Sequence, residues 1–462
     1  MNTFALVARE PDAPIAYLSK PIANFGLAAG VVNTERFLMD VQALAALLAR
    51  GSYAINLCEN RYLFMVGFCA AITRGHTNLL PPNKNVSTQH QLSQDYPGIY
   101  IIHDGATIDE SMPSIDLRAV SFKHALDKAK NGALSIPEID NDHLACISFT
   151  SGSTGSSSPN NKYWHTLHRS TNINYRYMIP PTSETVYTLA TMPAQHMWGL
   201  ETSILMPLFQ NVCVSDAKPL FPQDIMQVLR DLPAPRLLAS TPVHLRALAS
   251  SDNNTHTAEP LSLFSLLCAT SPLTTKLAQQ VETQFSAPLL EVYGCSEVGS
   301  MAVRRTVKQE NWNKFDGIEF TQKGVSTIAS AEHIPGDVTL QDGIKMHGDT
   351  HFTLSGRATD LIKIAGKRGS LLEINKVLLC FDGLQDGVIV MPDSNKDNTR
   401  LCALVALKQG IDKTMLRQYL QTNLDSAFVP RPIYVVDALP RESNGKLLKR
   451  RVDDMLATLR SK

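Results

Sequence analysis

The sequence carries no excess of charge of either sign. Its 462 residues include 43 lysines and arginines and 43 aspartates and glutamates, so the formal net charge at pH 7 is zero. Such a chain lacks the long-range field that attracts proteins to nucleic acid or to anionic membrane surfaces. We therefore expect no nucleic-acid partner.

Cysteine pairs and long apolar runs are also missing. The eight cysteines are scattered, mostly among apolar neighbours, without a Cys-x-x-Cys pair. They are typical of reduced core cysteines and argue against a zinc site or a disulfide framework. Residues 1–10 lack the basic start and apolar core of a signal peptide, and the longest apolar run, Tyr62 to Ile72, is too short to cross a bilayer. These features predict a cytoplasmic protein without a membrane span.

An ordinary globular composition remains, with 44% hydrophobic and 19% charged residues. A chain of this length suggests about two to four domains. Apolar spacing predicts an amphipathic helix over 36–50, and a strand, a helix and a strand over 53–57, 62–73 and 77–80. This alternation predicts an α/β fold, in which parallel sheets are covered by helices.

The pattern changes in the last third of the chain. Glycines and alternating segments predict a small β subdomain at about 305–359, which completes a large N-terminal domain over 1–359. Residues 360–462 predict a small α+β C-terminal domain of the usual domain size. We place the boundary at Asp360.

A run of hydroxyl residues and glycines follows the apolar strand predicted at 144–149. It reads Thr150-Ser151-Gly152-Ser153-Thr154-Gly155-Ser156-Ser157-Ser158. Glycines permit positive φ, so successive N–H groups can point at an anion while hydroxyls add donors. The run lacks the Gly-Lys-Ser/Thr of a Walker A loop and the Gly-x-Gly-x-x-Gly fingerprint. Taken alone, it fits a phosphate-binding loop or a flexible linker.

Three other segments contain residues with reactive or ligand-binding side chains. His196 stands near Trp198 and Gly199 before an apolar helix, and Glu297 ends the turn Tyr293-Gly294-Cys295-Ser296-Glu297 after a strand. Open parallel sheets bind ligands at the carboxyl ends of their strands. Lys446 follows an Asn-Gly turn near the end of the chain. Taken alone, these residues also fit a core histidine, a solvated carboxylate and a surface cation.

The order and spacing of five motifs resemble the adenylate-forming superfamily of acyl- and aryl-CoA synthetases, peptide-synthetase adenylation domains and luciferases. The resemblance covers about residues 36 to 450. The motifs are the Ser/Thr/Gly loop, the Tyr-Gly-x-Ser-Glu turn, Gly348-Asp349, the Gly-Arg-x-x-Asp-x-Ile-Lys-x-x-Gly segment that begins at Gly356, and the Pro-x-x-x-x-Gly-Lys that ends at Lys446.

This resemblance implies roles for the residues that bind ATP and Mg²⁺. The loop, from Thr150 through Ser151, Gly152, Ser153 and Thr154 to Gly155, would hold the β- and γ-phosphates. Glu297 would hold Mg²⁺. Asp349 and Arg357 would bind the ribose hydroxyls. The adenine would be flanked by Tyr293 and by the turn of Ala269, Thr270 and Ser271, with Gly294 and Ser296 in the same nucleotide site.

The resemblance also implies where the acid binds and how the C-terminal domain acts. Lys446 would bridge the substrate carboxylate and the α-phosphate, and Asp360 would be the hinge of a mobile C-terminal domain. His196 matches the position beside the acyl pocket, whose wall would include Trp198, Gly199, Gly294 and Cys295. ATP would first give acyl-AMP and pyrophosphate, and the acyl group would then move to the thiol of CoA or phosphopantetheine.

Departures from the family pattern refine this expectation. Lys162 comes seven residues after Gly155, later than the usual lysine, so it is a candidate phosphate contact whose role stays open. Ser296 replaces the usual threonine and keeps the hydroxyl. With Lys162-Tyr163-Trp164 and the short segment before the loop, the chain resembles compact ligases of bacterial aryl-polyene pigment pathways, which load an aromatic acid onto a carrier protein.

We therefore predict an AMP-forming ligase that joins a small aromatic carboxylic acid, such as a hydroxybenzoate or a cinnamate, to a free-standing acyl carrier protein. Three alternatives stay open: an acyl- or aryl-CoA synthetase that uses free CoA, a catalytically silent nucleotide-binding homologue, and an enzyme that releases or oxidises acyl-AMP without a thiol. The identity of the acid and the oligomeric state are not fixed by the sequence.

Overall fold

The computed structural model describes most of the chain: residues 2–48, 51–120, 122, 135–151, 157–250, 261, 263–324, 326–334, 336–357, 360–364, 367–391, 400–442 and 445–461. For residues 150, 151, 157 and 357 only the main chain is described. The predicted phosphate-loop residues Gly152, Ser153, Thr154 and Gly155 therefore lie outside the described residues.

The strands are β1 (Thr3–Ala5), β2 (Pro14–Leu18), β3 (Gly30–Asn33), β4 (Tyr53–Asn56), β5 (Thr77–Leu80), β6 (Ile99–His103), β7 (Ser114–Asp116), β8 (Glu138–Asp140), β9 (Leu144–Ser151), β10 (Ser157–Tyr163), β11 (Val186–Ala190), β12 (Val212–Ser215), β13 (Arg236–Ser240), β14 (Ser265–Cys268), β15 (Leu289–Cys295), β16 (Gly299–Arg304), β17 (Trp312–Lys314), β18 (Glu319–Lys323), β19 (Ser326–Ser330), β20 (Val338–Leu340), β21 (Asp342–His347), β22 (His351–Arg357), β23 (Leu361–Ile364), β24 (Lys367–Ser370), β25 (Leu384–Val390), β26 (Cys402–Leu407) and β27 (Ile433–Val435).

The helices are α1 (Thr34–Leu47), α2 (Arg61–Thr73), α3 (Val86–Asp95), α4 (Trp164–Met178), α5 (Met197–Leu200, a π-helical Glu201–Leu205 and Met206–Phe209), α6 (Pro222–Asp231), α7 (Pro242–Ser250), α8 (Thr275–Phe285), α9 (Leu371–Leu379), α10 (Lys413–Asn423) and α11 (Lys449–Arg460). None of the helices in the described ranges is long and apolar enough to cross a membrane.

The largest sheet has eleven strands in the order β21-β22-β17-β16-β15-β14-β13-β11-β12-β2-β3. The six strands from β15 to β2 run parallel, and the strands on either side of them are antiparallel. The parallel strands are nearly continuous apolar runs, as in β14, where Ser265, Leu266, Leu267 and Cys268 are all buried. Strands covered by helices on both faces need this composition.

A second sheet has six strands in the order β10-β9-β5-β4-β6-β7. Five of them, from β9 to β7, run parallel, and β10 pairs antiparallel with β9 at one edge. Two helices beside these strands begin at asparagine caps. The side chain of Asn33 accepts a hydrogen bond from Arg36 N, and that of Asn60 accepts one from Leu63 N. Such caps satisfy N–H groups that have no partner within the helix.

The C-terminal region packs its own core. β25, β26 and β27 form a three-stranded sheet, and β23 and β24 form a hairpin. Two clusters of buried apolar residues in this region contain only residues from Ile362 onward, whereas the N-terminal clusters end before Arg357. Few apolar contacts therefore cross residue 360, where the sequence places the boundary.

These elements confirm the predicted fold class of a large N-terminal α/β domain with a smaller C-terminal α+β unit. The small β subdomain expected at about 305–359 is arranged differently. β17, β21 and β22 extend the largest sheet, while β18, β19 and β20 form a separate three-stranded sheet. Their alternating pattern predicts strands, but the pattern alone does not assign a strand to a sheet.

Sequence reasoning missed several elements, among them β2, β3, β10 and α4. β10 reads Ser-Ser-Pro-Asn-Asn-Lys-Tyr, and this sequence is too polar for hydrophobic periodicity to predict a strand. Pairing with β9 nevertheless makes it a strand, and Pro159 fits there because β10 lies at the edge of its sheet.

Candidate active site

Three of the predicted site segments meet at the carboxyl edge of the largest sheet. β11 leads to the loop of His196, β14 leads to Ala269-Thr270-Ser271, and β15 ends in the turn toward Glu297. Since β11, β14 and β15 belong to one parallel array, their carboxyl ends lie at the same edge. This edge is where open α/β sheets bind ligands.

β9 and β10 pair antiparallel, and the Ser/Thr/Gly run lies between them in the sequence. Ser157 pairs with Ser151, and Ser158 pairs with Thr150, at the end next to the run. At the other end Lys162 reaches across to the largest sheet, where its Nζ donates a hydrogen bond to the carbonyl oxygen of Glu297 at 2.6 Å. The hairpin and the Glu297 turn are therefore neighbours in space.

The turn after β15 depends on a close approach of two strands. A Cβ at Gly294 would lie 2.4 Å from the carbonyl oxygen of Gly299, so a side chain at this position would push β16 away. The register between β15 and β16 shifts between Tyr293 and Gly294. Glu297 is half-buried in this turn. Burial, with the Glu297 carboxylate nearby, raises the pKa of the Cys295 thiol to about 12, so Cys295 is not a nucleophilic thiolate.

The residues around Tyr293 form the predicted nucleotide-binding end of the site. Its ring lies against Trp312 and Phe352, with centroids 5.7 and 5.8 Å away, and its hydroxyl donates to Asp342 Oδ2 at 3.2 Å. Thr270, on the neighbouring loop, has φ of 84°. A β-branched residue in that conformation is an outlier, and such strain clusters at ligand-binding sites.

The structure does not bring Asp349 to this cluster. Asp342 pairs with Arg357 at one end of the β21–β22 hairpin, whereas Asp349 lies in the turn beyond the pair of His347 and His351 at the other end. The two ends are five positions apart, roughly 17 Å at about 3.4 Å per residue. Asp342 is the carboxylate that accepts from Tyr293 and pairs along the strand with Arg357, and sequence reasoning missed it.

His196, Trp198 and Gly199 lie together at the start of α5. Trp198 Nε1 donates to the carbonyl oxygen of Ser240 at 3.1 Å, and a Cβ at Gly199 would lie 2.1 Å from the carbonyl oxygen of Pro193. His196 Nε2 is buried and has no hydrogen-bond partner among the described residues. Burial lowers the pKa of His196 to about 4, and the nearby charges of Lys446 and two other lysines add to the effect. His196 is therefore neutral at physiological pH.

Lys446 is an exposed residue on a turn of the C-terminal region. This turn packs against the edge of the N-terminal sheet through the adjacent Gly445. The adjacent Gly445 is buried with φ of 79°, and a Cβ there would lie 3.2 Å from Thr241 Oγ1. Arg441 holds the turn from the side, because its guanidinium donates to the Gly445 carbonyl oxygen at 2.7 Å and to both carboxylate oxygens of Asp386 at 2.6 and 2.7 Å. A bidentate pair of this kind fixes direction as well as distance.

Polar contacts also join the two regions away from this turn. Arg246 on α7 donates to the carbonyl oxygen of Leu379 at 3.3 Å, and Lys276 on α8 pairs with Asp382. Both contacts are polar and involve a charged side chain of the N-terminal region, and neither adds a large apolar interface. Interfaces of this type permit domain motion.

An open groove of about 520 Å³ lies at the carboxyl edge of the six-stranded sheet. Glu59 and Lys84 line it, and the same two residues, with Lys218 and Ala194, line a separate small cavity of about 10 Å³. Glu59 pairs with Lys84 at 2.6 Å and also with Lys218. The two cavities therefore share charged lining residues.

Within the described ranges, no group of three or more histidine, cysteine, aspartate or glutamate side chains could hold a metal ion by itself. Mg²⁺ that accompanies ATP is usually held by one or two carboxylates together with phosphate oxygens. The half-buried carboxylate of Glu297, next to the hairpin that carries the Ser/Thr/Gly run, fits that requirement.

Two family models match the chain. The AMP-binding enzyme model matches residues 44–320, and the model of the AMP-binding enzyme C-terminal domain matches residues 373–446. Acetyl-coenzyme A synthetase of Deinococcus radiodurans is 29% identical over 120 residues, which make up 25% of this chain and 18% of that protein. Surfactin synthase subunit 2 of Bacillus subtilis is 35% identical over 114 residues, 24% of this chain and 3% of that protein. The chain thus matches less than a fifth of the length of these relatives.

Solved structures share the fold over nearly the whole chain. ATP-bound MatB from Rhodopseudomonas palustris superposes with a TM-score of 0.76 at 16% identity over 97% of each chain. The o-succinylbenzoate CoA synthetase of Bacillus subtilis with its acyl-adenylate intermediate gives 0.74 at 16% over 96% of each chain. At these identities the likeness concerns the fold. Because the first family model matches more than half of the chain, this protein belongs to the family of AMP-binding enzymes.

Proposed function

We propose that this protein is an AMP-forming ligase. It activates a small aromatic carboxylic acid with ATP to give acyl-AMP and pyrophosphate, and it transfers the acyl group to the phosphopantetheine thiol of an acyl carrier protein. The observation that carries the proposal is the packing of the Lys446 turn on the sheet edge that also presents His196 and Glu297.

In the first step a carboxylate oxygen of the acid attacks the α-phosphorus of ATP, and the bond to pyrophosphate breaks. Two anions must approach each other, so a cation held between them lowers the barrier. Lys446 supplies that cation from the C-terminal region. Mg²⁺, when bound at Glu297, supplies further positive charge against the phosphate oxygens. The neutral His196 borders the acyl pocket without adding charge.

In the second step the thiol sulfur attacks the carbonyl carbon of acyl-AMP. The bond from that carbon to the phosphate oxygen breaks, AMP leaves, and the thiol proton is lost. Lys446 has no part in this step, and its turn occupies the sheet edge beside the pocket. Rotation of the C-terminal domain about Asp360 removes the turn, and domain motions of this kind often limit turnover.

The ribose of ATP is assigned to Asp342 and Arg357 in place of Asp349. We expect Asp342→Ala to raise the KM for ATP about 10- to 100-fold, because a hydrogen bond to a charged group contributes ~1.5–3 kcal/mol. The KM for the acid should change little. Initial rates of pyrophosphate release over a range of ATP concentrations measure both constants.

Asp349→Ala is the matched control, since it removes the same carboxylate from the opposite end of the hairpin. It should leave the KM for ATP unchanged. A large rise in KM for Asp349→Ala together with a normal Asp342→Ala would restore the original assignment.

The reaction itself is tested by acid-dependent pyrophosphate release. The protein is incubated with ATP, Mg²⁺ and single benzoic, hydroxybenzoic, cinnamic or fatty acids, without a thiol. Release that depends on one acid class would support carboxylate adenylation and name that class. No release with any acid, although the protein binds ATP, would favour the catalytically silent homologue.

The acceptor is a separate question, because the matched relatives include both an acetyl-coenzyme A synthetase and a surfactin synthase subunit. Once an acid is known, the protein is given CoA or a phosphopantetheinylated carrier protein, and thioester formation is followed by mass spectrometry. A kcat/KM at least tenfold higher for the carrier supports the proposal. The reverse preference would make the protein a CoA ligase, and no thioester with either would point to hydrolysis or oxidation of the acyl-AMP.

A further inference from the structure

Lys162 is a buried lysine that links the two sheets. It lies on β10 of the six-stranded sheet with 4% of its surface exposed, and its Nζ donates to the carbonyl oxygen of Glu297 in the turn after β15 of the eleven-stranded sheet. The partner is a main-chain oxygen, so the bond fixes the position of the turn and does not engage the Glu297 carboxylate.

A buried ammonium group is costly unless its surroundings compensate for the lost water. A leucine or methionine at this position would fill the same space without the desolvation cost. The presence of lysine therefore points to a role for its hydrogen bond and charge.

Glu201 holds the end of the same turn, where the chain enters β16. It is 2% exposed and accepts hydrogen bonds from Ser300 N at 3.0 Å, from Ser300 Oγ at 2.7 Å and from Asn174 Nδ2 at 3.1 Å. A Cβ at Gly299 would lie 2.7 Å from Glu201 Oε1, so the carboxylate is in close contact with the main chain of the turn. Glu201 also begins the π-helical segment of α5, an irregularity that is frequent at functional sites.

We propose that Lys162 and Glu201 are positioning residues that clamp the turn 295–299, Lys162 at its middle through the carbonyl oxygen of Glu297 and Glu201 just beyond its end through Ser300. The two contacts thereby aim the carboxylate of Glu297 at the bound metal and phosphates. This inference rests on the proposed function, because it assigns to Glu297 the metal of an ATP-dependent reaction. It also gives Lys162 a role other than a direct phosphate contact, since its ammonium group is directed at the turn.

The proposal is tested by the affinity for a metal ion rather than by turnover. Mn²⁺ is titrated into the full-length protein with α,β-methylene-ATP, and free Mn²⁺ is measured by electron paramagnetic resonance. We expect Lys162→Met to weaken Mn²⁺ binding about 10- to 100-fold, the usual effect of removing a group that orients a metal ligand. Glu201→Gln should weaken it in the same direction, and the double variant should lose less than the product of the two single losses.

Lys314→Met is the control. Lys314, on β17, is also a largely buried lysine, and its Nζ donates to the main-chain carbonyl oxygen of Ile318. It should retain the wild-type Mn²⁺ affinity even if its melting temperature falls. Wild-type Mn²⁺ affinity in folded Lys162→Met would overturn the proposal. If Lys162→Met does not fold, Glu201→Gln decides in its place, and unchanged affinity there would have the same meaning.

Failure of the proposed function gives a different result. A wild-type protein that binds Mn²⁺ with the ATP analogue but releases no pyrophosphate with any acid would contradict the ligase activity and leave the clamp intact. The opposite result is also possible: the Lys162 and Glu201 variants retain Mn²⁺ affinity, and the wild-type protein adenylates an acid. It would contradict the clamp and leave the proposed ligase activity supported.

Discussion

Lys446→Ala is expected to slow acyl-AMP formation by about 10²- to 10³-fold, the usual cost of removing one group that stabilises charge in a transition state. Transfer of the acyl group from preformed acyl-AMP to the thiol should stay within about twofold of wild type. In the first step Lys446 neutralises charge between the substrate carboxylate and the α-phosphate. The second step does not bring two anions together, so it does not need this lysine. Single-turnover pyrophosphate release and single-turnover thioester formation measure the two steps separately.

Lys408→Ala is a suitable control, since Lys408 is an exposed lysine of the same C-terminal region outside the Lys446 turn. Both half-reactions should be unchanged in that variant. An equal loss in the two half-reactions of Lys446→Ala would contradict the role given to the lysine. Such a result would point to a general disturbance of the turn that Arg441 holds.

Asp360→Pro is expected to have the opposite effect. Proline fixes φ at its own position and restricts the residue before it, so it removes the torsional freedom between β22 and β23. Acyl-AMP should form at near the wild-type rate in the first turnover, because the structure already packs the Lys446 turn against the N-terminal sheet edge. Thioester formation should fall at least about 10²-fold, since the turn cannot withdraw.

Asp360→Ala separates the loss of rotation from the loss of the carboxylate. It should keep thioester formation within a few-fold of wild type. Unchanged thioester formation in Asp360→Pro would count against rotation at this residue. Circular dichroism of both variants checks that the C-terminal region remains folded.

The sequence predicts the parallel architecture well because the buried strands leave a strong pattern. Runs such as Val186-Tyr187-Thr188-Leu189 and Val212-Cys213-Val214 are apolar throughout, and the structure forms β11 and β12 there. Once these strands are parallel, topology places the residues that follow them at one edge. The family resemblance grouped His196, Thr270 and Glu297, and this topology explains why their three loops lie at one edge.

The position of the carboxylate that we propose to bind the ribose could not be predicted in the same way. Gly348-Asp349 lies close to Arg357 in sequence and has the expected composition, but the pairing of β21 with β22 puts Asp342 opposite Arg357. Register is set by pairing across the hairpin, and a short motif does not contain that information. The hydrogen bond from Tyr293 to Asp342 is likewise a contact between segments 49 residues apart.

Buried charges were harder still to assign from sequence. Lys162 lies in a polar segment and Glu201 in an apolar helix, and each buried charge is explained only by its contact with the turn after β15. Arg441 and Asp386 are 55 residues apart and meet only when the C-terminal region folds. A lysine within an otherwise neutral edge strand is the one local sign that could have drawn attention to Lys162.

The β21–β22 hairpin has a consequence for the order of events in a catalytic cycle. β22 ends at Arg357, opposite Asp342, and the proposed pivot follows three residues later at Asp360. Under the assignments above, the residues that grip the ribose and the residue that turns are parts of one short segment. A bound nucleotide then restrains rotation at Asp360. Release of AMP and return of the C-terminal domain for the next ATP are therefore coupled.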